Sequence, residues 1–262
     1  MVITLLTDFG LSDPYVGVMK GVILNICPAS RIVDITHDIP PQCVDMASFV
    51  LGKSYPYFPA GSIHCIVVDP GVGSDRKILV AATDQYMFIA PDNGVLEPVF
   101  CSAGDCMIYQ VTASDYFLPD VSCTFHGRDI FAPVAAHLAK GIRPEQVGEP
   151  VRQVVRLQER KPVISQNRIT GEVIFCDRFG NAVTNIHFET LKNRGNFRII
   201  LGSYSIEGLQ SAYSDVKAGQ PLAIIGSYGN LEIAVREGSA CSTLGINPGD
   251  KINIEFSISE SH

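Results

Sequence analysis

The sequence is short of positive charge and of long apolar segments, and both shortages restrict what the protein can do. Its 262 residues include 20 Lys and Arg against 27 Asp and Glu, which gives a net charge of −7. Nucleic-acid binders need a clustered basic face, and here the basic residues are scattered, so we expect no nucleic-acid partner. The first ten residues, MVITLLTDFG, contain an apolar run too short for a signal peptide or a membrane helix. We therefore expect a cytoplasmic protein with no membrane partner.

Several common site motifs are also missing. None of the eight cysteines forms a CxxC pair, and several lie in apolar runs such as HCIVV and VIFCD. We therefore expect reduced, mostly buried thiols, because a free cysteine packs like a small apolar residue. There is no HExxH zinc motif, and the Gly-rich stretch DPGVGSDR lacks the Lys-Ser/Thr pair of a phosphate loop.

The chain does contain two halves with different patterns. The first alternates apolar runs such as VITLLTDF and RIVDITHDI with helical segments, which is typical of an α/β sheet with buried strands. The second consists of short strands such as KINIEFSI, separated by Gly, Asn or Asp turns. We predict an N-terminal α/β domain (1–155) with a central, largely parallel sheet, a linker (156–166) and a smaller all-β, barrel-like C-terminal domain (167–262).

Acidic residues follow the predicted strands of the first half, where ligands of α/β proteins gather. Asp8, Asp34, Asp69 and Asp92 all have this placement. In the stretch DPGVGSDR, Asp69 ends a strand, two glycines let the backbone turn, and Arg76 follows. An ion pair across a surface turn is the structural alternative for this stretch.

The first turn, TDFGLSD, holds Asp8 and Asp13 five residues apart, with Gly10 allowing a tight bend. Acids so placed accept hydrogen bonds from hydroxyls or an ammonium group, or bind a divalent metal. The alternative is structural, because Asp13 before Pro14 has the pattern of a helix N-cap.

Two of the six histidines have neighbours that suggest chemistry. His126 in TFHGRD precedes a helix-like run, and an imidazole at a helix entrance can exchange protons near neutral pH. A purely structural histidine is the alternative. His37 lies between Asp34 and Asp38 at a spacing that a metal ion could use. Together with Asp8, these residues make a metal-dependent hydrolase a second hypothesis.

Two loops of the second half combine polar and aromatic groups. The loop DRFGN contains Asp177, Phe179 and Asn181, and the loop SYGN contains Ser227 and Tyr228. Each is also typical of a turn between strands, because Asp, Asn and Gly favour turns for backbone reasons.

Taken together, the motifs TDFGLSD, DPGVGSDR, PDNG, FHGRD, DRFGN and SYGNLEIAV resemble the S-adenosyl-L-methionine (SAM) hydroxide adenosyltransferase family. This is the hydrolase branch of the superfamily that includes the fluorinase and chlorinase enzymes. The resemblance runs in order from about residue 3 to residue 255. It implies nucleophilic substitution in which water or hydroxide attacks the ribose 5′ carbon of SAM and releases adenosine and L-methionine. It also implies that SAM is the substrate, with no cofactor and no metal.

The resemblance assigns roles to individual residues. Asp69, Arg76 and His126 match the family's water-activating triad, and Asp8 matches the acid that holds the ribose hydroxyls. The other matches are to substrate-binding groups. At the methionine end of SAM these are Asp13, Asp177 and Ser227, with Tyr228 beside Ser227 and Glu232 near the ammonium group. At the adenine edge they are Asn181 and the backbone at Val235, with Phe179 as an aromatic wall.

The chain differs from the halogenating relatives at the triad itself. Those relatives carry tyrosine at the position of Asp69 and Tyr-Ser at the position of His126 and Gly127, so we do not expect halide transfer. The resemblance further implies a homotrimer with sites at subunit interfaces. A nucleoside-binding module that retains adenosine without turnover is a third hypothesis.

Overall fold

The computed structural model describes residues 1–102, 104–158 and 160–256, and the chain divides into two compact units, 1–158 and 159–262. Within the described residues, no helix combines the length and the apolar character needed to cross a bilayer. The elements of the first unit are β1 (Val2–Thr7), α1 (Tyr15–Ile26), β2 (Arg31–Thr36), α2 (Val44–Ser54), β3 (Ile63–Val67), β4 (Ile78–Ala82), β5 (Met87–Pro91), α3 (Glu97–Ser102), β6 (Met107–Gln110) and α4 (Ala132–Ala139).

The first unit is built on one mixed sheet with the strand order β2-β1-β3-β5-β4-β6. β1 pairs in parallel with β2 and β3, and β3 pairs in parallel with β5. β4 is antiparallel to both β5 and β6. The α/β prediction is confirmed, but the sheet is mixed rather than largely parallel. The short connection between β4 and β5 cannot hold a crossover helix, so these strands form a hairpin.

Both faces of this sheet are covered, which explains why its strands read as continuous apolar runs. Ile3 and Leu5 of β1 pack in one core with residues of α1 and α4. Leu6 of β1 and Ile66 of β3 pack in a second core with Leu51 of α2. Full burial of each such side chain contributes about 1.5–3 kcal/mol, so the central strands are held firmly from both sides.

The second unit is an antiparallel sheet with the strand order β11-β10-β14-β8-β9-β13-β12 and β7 beside β8. Its elements are β7 (Val163–Ile164), β8 (Arg168–Cys176), β9 (Ala182–His187), β10 (Phe197–Leu201), β11 (Tyr204–Glu207), β12 (Pro221–Ile225), β13 (Asn230–Val235), α5 (Ala240–Leu244) and β14 (Lys251–Phe256). The edge strands β11 and β12 contact each other, and the Gln210 amide donates to the Ala223 carbonyl at 2.8 Å. The sheet is therefore barrel-like. Residues 163 and 164, which we predicted as part of the linker, form β7 of this unit. The domain boundaries given in the sequence analysis stay a prediction.

Cys176 and Cys241 form a disulfide, so the prediction that the thiols are reduced is wrong for this pair. Cys176 ends β8 and Cys241 lies in α5, and 65 residues separate them. Their proximity arises from packing within the second unit, which the spacing in the sequence does not reveal. The other six cysteines are free, and burial raises the pKa of the Cys65 thiol, as expected for a cysteine that serves as a core residue.

His64 is a buried histidine in β3 that takes no part in the predicted site. Its side chain is 0% exposed, and its ring stacks on Phe88 with 5.0 Å between the ring centres. Its Nδ1 lies 2.8 Å from the Thr4 hydroxyl. Burial lowers the pKa of His64 from its ordinary 6.5 to about 4, so the folded protein keeps this imidazole neutral at neutral pH.

We expect the free energy of unfolding to fall as the pH decreases from about 6.5 to about 4. In this window the unfolded chain binds a proton at His64 that the folded chain excludes, which costs on the order of 2 kcal/mol at about pH 5. Urea unfolding at about pH 7.5 and about pH 5 should show a smaller loss for His64→Phe than for wild type. Between about pH 7.5 and 8.5 the two proteins should change alike. Equal losses at about pH 5 would contradict the assignment.

Candidate active site

A cavity of about 340 Å³ lies in the first unit at the carboxyl edge of its parallel strands. Asp8 directly follows β1, and Asp69 follows β3 with one residue, Val68, between them. β1 and β3 are parallel neighbours with Thr7 opposite Val67, so the two acids leave the sheet side by side. Both acids and His126 line the cavity. The parallel register of two buried strands thus brings together Asp8 and Asp69, and His126 reaches the same cavity from the segment that precedes the turn Gly127–Phe131.

The stretch from Asp69 to Arg76 is a loop whose last residue contacts its first. Gly73 has a φ of +79°, and a side chain there would collide with the Cys123 carbonyl oxygen. Only glycine fits this position without strain. The loop can therefore pack directly against the segment that precedes His126.

Arg76 and Asp69 form a bidentate ion pair across this loop. Nε of Arg76 donates to the two carboxylate oxygens at 2.9 and 2.8 Å, and Nη2 donates to Oδ2 at 2.5 Å. The side chains of Arg76 and Asp69 are 12% and 5% exposed. The structural alternative is therefore right about the ion pair and about the turn, since Pro70 and residues 72–75 are exposed, but the paired side chains themselves are largely buried. Such a pair is screened little by salt and has a fixed geometry.

The same guanidinium reaches His126, because Nη2 of Arg76 lies 2.7 Å from Nδ1 of the imidazole. A guanidinium has only donors, so Nδ1 must accept, and the neutral ring carries its hydrogen on Nε2. Burial, and next the positive charge of Arg76, lower the pKa of His126 and outweigh the opposite effects of Asp69 and Asp129. His126 is therefore neutral at neutral pH, in a defined tautomer.

Asp129, which the sequence analysis did not single out, holds the loop that carries His126. It is fully buried and accepts hydrogen bonds from the Ser122 amide at 2.8 Å and hydroxyl at 2.7 Å, and from Nε of Arg128 at 2.5 Å. Burial raises the pKa of Asp129, but the Arg128 and Ser122 donors lower it below its usual value. Residues Gly127–Phe131 form a π-helical turn, a feature frequent at functional sites. An acid three residues after the histidine was the only sequence signal for this support.

Three aromatic side chains, Phe9, Tyr15 and Phe125, form one wall of the cavity. Their ring centres lie 5.0 to 5.9 Å apart, in tilted and edge-on arrangements. None of the three was predicted, although Phe9 and Phe125 lie within the motifs TDFGLSD and TFHGRD, because the sequence does not show which aromatic side chains meet in the fold. Such a wall offers apolar surface beside the charged cluster.

The remaining candidates of the first unit are placed differently. Asp13 is exposed and is not among the residues that line the cavity. The helix-cap alternative for Asp13 is also wrong, because α1 has no side-chain cap.

The residues considered for a metal site do not meet. Asp34 lies inside β2 rather than beyond its end, and its carboxylate accepts a hydrogen bond from Lys20 at 2.6 Å. His37 is buried whereas Asp38 is exposed. In the parts of the chain that the structure describes, no three His, Cys, Asp or Glu side chains are grouped to hold a metal ion.

In the second unit, Asp177 organises the loop between β8 and β9. Its Oδ1 accepts from the amides of Phe179 and Asn181 at 2.9 and 2.8 Å, and its Oδ2 accepts from Nδ2 of Asn181 at 3.0 Å. Asp177 therefore acts as the turn-forming residue that the structural alternative describes. The disulfide of Cys176 fixes the start of the same loop.

Glu232 lies in β13 and is only 6% exposed. Burial and the nearby charge of Asp177 raise its pKa, although a hydrogen bond with Tyr213 opposes the shift. A side chain at Gly226 would collide with the Glu232 carboxylate, so this glycine leaves room for the buried acid. Asp177 and Glu232 thus form an acidic pair at one end of the second unit.

The other candidates of the second unit differ in exposure. Phe179 is 79% exposed and Tyr228 is 44% exposed, whereas Val235 is buried. Ser227 is exposed in the loop between β12 and β13. Large exposed aromatic side chains on well-anchored loops are typical of surfaces that contact a ligand or another chain.

Comparison with known proteins covers both units. Residues 3–148 match the family model of the SAM hydroxide adenosyltransferase N-terminal domain, and residues 171–253 match that of the C-terminal domain. This chain belongs to the SAM hydroxide adenosyltransferase family. The resemblance seen in the motifs is thereby confirmed.

Several known proteins are similar to this chain over nearly its full length. The (R)-S-adenosyl-L-methionine hydrolase of Thermus thermophilus is 37% identical over 259 residues, which cover 95% of this chain and 97% of that protein. The (R)-S-adenosyl-L-methionine hydrolase of Salinispora tropica is 34% identical over 262 residues, covering 96% and 97%. The crystal structure of an uncharacterized conserved protein from Thermotoga maritima superposes with a TM-score of 0.89 at 41% identity, covering 97% of this chain and 99% of that one.

In this SAM hydroxide adenosyltransferase we expect His126 to titrate below its ordinary pKa of 6.5. Arg76→Met should raise the pKa of His126, because it removes a positive charge and leaves Asp69. Asp69→Asn should lower it further, because it removes the opposing negative charge. NMR titration of the imidazole carbons measures both shifts. The pKa of His137, lowered by burial and Lys140, is the control and should not move in either variant. Shifts of His126 in the same direction in both variants would rule out the cluster.

Proposed function

We propose that this protein hydrolyses SAM by attack of a water-derived oxygen at the ribose 5′ carbon, giving adenosine and L-methionine. The observation that carries the proposal is the hydrogen-bonded cluster of Asp69, Arg76 and His126 at a cavity that Asp8 also lines. The cluster occurs in a chain whose full-length relatives carry the name SAM hydrolase.

The substrate supplies its own leaving group in this reaction. The C5′–O bond forms as the C5′–S bond breaks, and the electron pair of the C–S bond goes to sulfur. Methionine leaves as a neutral thioether, so no acid is needed to protonate it. One proton of the attacking water is released to solvent. The demanding step is therefore to supply and aim the nucleophile.

The geometry of the cluster suits this step. The positive charge of Arg76 favours hydroxide over water, and the Nε2–H of His126 can donate a hydrogen bond to the oxygen. Nδ1 of His126 cannot take the proton of the water while Arg76 donates to it. We therefore assign His126 the role of orienting the nucleophile, and Asp69 the role of fixing the guanidinium. Good positioning of reactants can lower a barrier by about 7–11 kcal/mol.

The binding roles follow from the resemblance together with the cavity. Asp8 accepts hydrogen bonds from the ribose hydroxyls, and the wall of Phe9, Tyr15 and Phe125 excludes bulk water. The remaining assignments rest on the resemblance alone: Asp13, Asp177, Ser227 and Glu232 for the methionine end, and Phe179, Asn181, Tyr228 and Val235 for the adenine end and its loops.

Purified protein incubated with SAM should release adenosine and methionine in equal amounts, followed by chromatography. Arg76→Met and His126→Ala should each lower kcat by about 10²–10⁴-fold, because each removes a group that holds the nucleophile. Arg143→Met is the matched control, since Arg143 is 72% exposed and pairs with Glu145 at the surface. Reaction in ¹⁸O water should place one heavy oxygen in adenosine. Unlabelled adenosine, or an undiminished rate in both cluster variants, would overturn the mechanism.

The two alternative hypotheses give different results in the same assay. A metal-dependent hydrolase would lose activity in a strong chelator, whereas we expect the rate to be unchanged. A nucleoside-binding module would bind adenosine and release no methionine after long incubation. Nothing in the comparisons favours either alternative.

We further propose, from the resemblance, that the protein is a homotrimer with its sites at subunit interfaces. Light scattering after size-exclusion chromatography should give about three times the chain mass of 28.4 kDa. A monomer that is fully active at nanomolar concentration would contradict this proposal.

A further inference from the structure

Asp8 lies beyond the end of β1, where the sheet no longer supports the backbone. Its carboxylate must nevertheless keep one orientation in the cavity if it is to hold a ligand. The glycine two residues later, Gly10, has a φ of +66°, so the chain turns sharply just after the acid. Contacts from elsewhere in the fold must therefore hold this turn.

Those contacts come from one short segment, residues 37 to 42. The Gly10 amide donates to the His37 carbonyl at 2.8 Å, and the Gln42 amide donates to Oδ2 of Asp8 at 2.8 Å. Gln42 has a φ of +65°, an uncommon conformation for a residue with a side chain. This segment therefore binds both the Asp8 carboxylate and the backbone that follows Asp8.

The buried side chains of Thr7 and His37 join the segment to the turn a second time. Oγ1 of Thr7 lies 2.9 Å from Nδ1 of His37 and accepts a hydrogen bond from the Phe9 amide at 3.3 Å. The two residues are 0% and 3% exposed, so water cannot readily replace these bonds. Thr7 and Phe9 flank Asp8 on either side.

The contacts that run from Lys20 through Asp34 and His37 to Thr7 agree with a single assignment of donors and acceptors. Nε2 of His37 lies 3.1 Å from Oδ1 of Asp34, a charge contact without the alignment of a hydrogen bond, and Lys20 donates to Oδ2 of Asp34 at 2.6 Å. The negative charge of Asp34 beside Nε2 favours the tautomer with its hydrogen on Nε2, which leaves Nδ1 to accept from the Thr7 hydroxyl. The Thr7 oxygen can then accept from the Phe9 amide. Each side chain in this series thus restricts the orientation of the next one, from Lys20 at the surface to the turn at Asp8.

We propose that Thr7 and His37 are positioning residues that hold the Asp8 carboxylate in its binding orientation, with Asp34 and Lys20 fixing the imidazole from the surface side. This role also gives His37 and Asp34 a function that needs no metal ion. The inference rests on the proposed function for its kinetic readout, because Asp8 is expected to bind the ribose of SAM.

Thr4 supplies a matched control for a test at Thr7. Both threonines lie in β1, both are 0% exposed, and each places its hydroxyl against Nδ1 of a buried histidine, His64 for Thr4 and His37 for Thr7. Thr→Val replaces the hydroxyl by a methyl group of similar volume in both cases. The two variants lose the same kind of bond, and only Thr7→Val loses it beside Asp8.

Thr7→Val should raise KM for SAM and Kd for adenosine about tenfold, the effect of losing roughly one hydrogen-bonded support. Its kcat should change less than about threefold, because the cluster around Arg76 is untouched. Thr7→Ser should restore KM, and Thr4→Val should leave KM at the wild-type value. Asp34→Ala, at an exposed position, should raise KM about threefold.

A readout that does not depend on activity is the hydrogen exchange of the Phe9 and Gly10 amides, measured by NMR. Exchange should be about tenfold faster in Thr7→Val than in Thr4→Val. The inference is wrong if exchange and KM do not change in Thr7→Val and Asp34→Ala, or if the Thr4 and Thr7 variants raise KM alike. Wild-type protein that does not hydrolyse SAM would refute the proposed function, and the exchange rates would still decide this inference.

Discussion

The ion pair between Asp69 and Arg76 is the interaction on which the site depends. It closes the loop after β3, directs one guanidinium nitrogen at His126 and so fixes the tautomer of that ring. Removing one partner of a buried pair leaves an uncompensated charge, which typically costs about 3–5 kcal/mol. The pair is therefore a structural element of the loop, and its guanidinium, held in place by Asp69, supplies the positive charge that the proposed chemistry requires.

Around this pair, the fold supplies rigid supports rather than further reactive groups. Asp129 anchors the loop before His126, Gly73 allows two loops to meet, and the pairing of β1 with β3 sets the distance between Asp8 and Asp69. Binding sites built on strand ends inherit the precision of the sheet. The geometry of the site thus depends on residues that are not proposed to contact SAM as well as on those that are.

The two-part architecture was predicted from local signals, because buried strands and short turns leave them in the sequence. The three residues of the cluster were assigned through the resemblance of the motifs, because the local pattern left a structural alternative open for each. The sequence did not predict the hairpin of β4 and β5, since direction of pairing is not visible in an apolar run. It also did not predict the role of Asp129, because that acid acts through hydrogen bonds with Ser122, seven residues away across a loop. The disulfide was missed for the same reason: residues that meet only through tertiary packing leave no local pattern.

The bond between Cys176 and Cys241 has a consequence for the unfolded chain. By closing a loop of 65 residues, it reduces the number of conformations available to the unfolded second unit, which corresponds to about 4 kcal/mol in the loop-entropy description. The bond also anchors the loop of Asp177 to α5. The stability of this unit, and the rigidity of that loop, will thus depend on the thiol–disulfide balance of the surrounding solution.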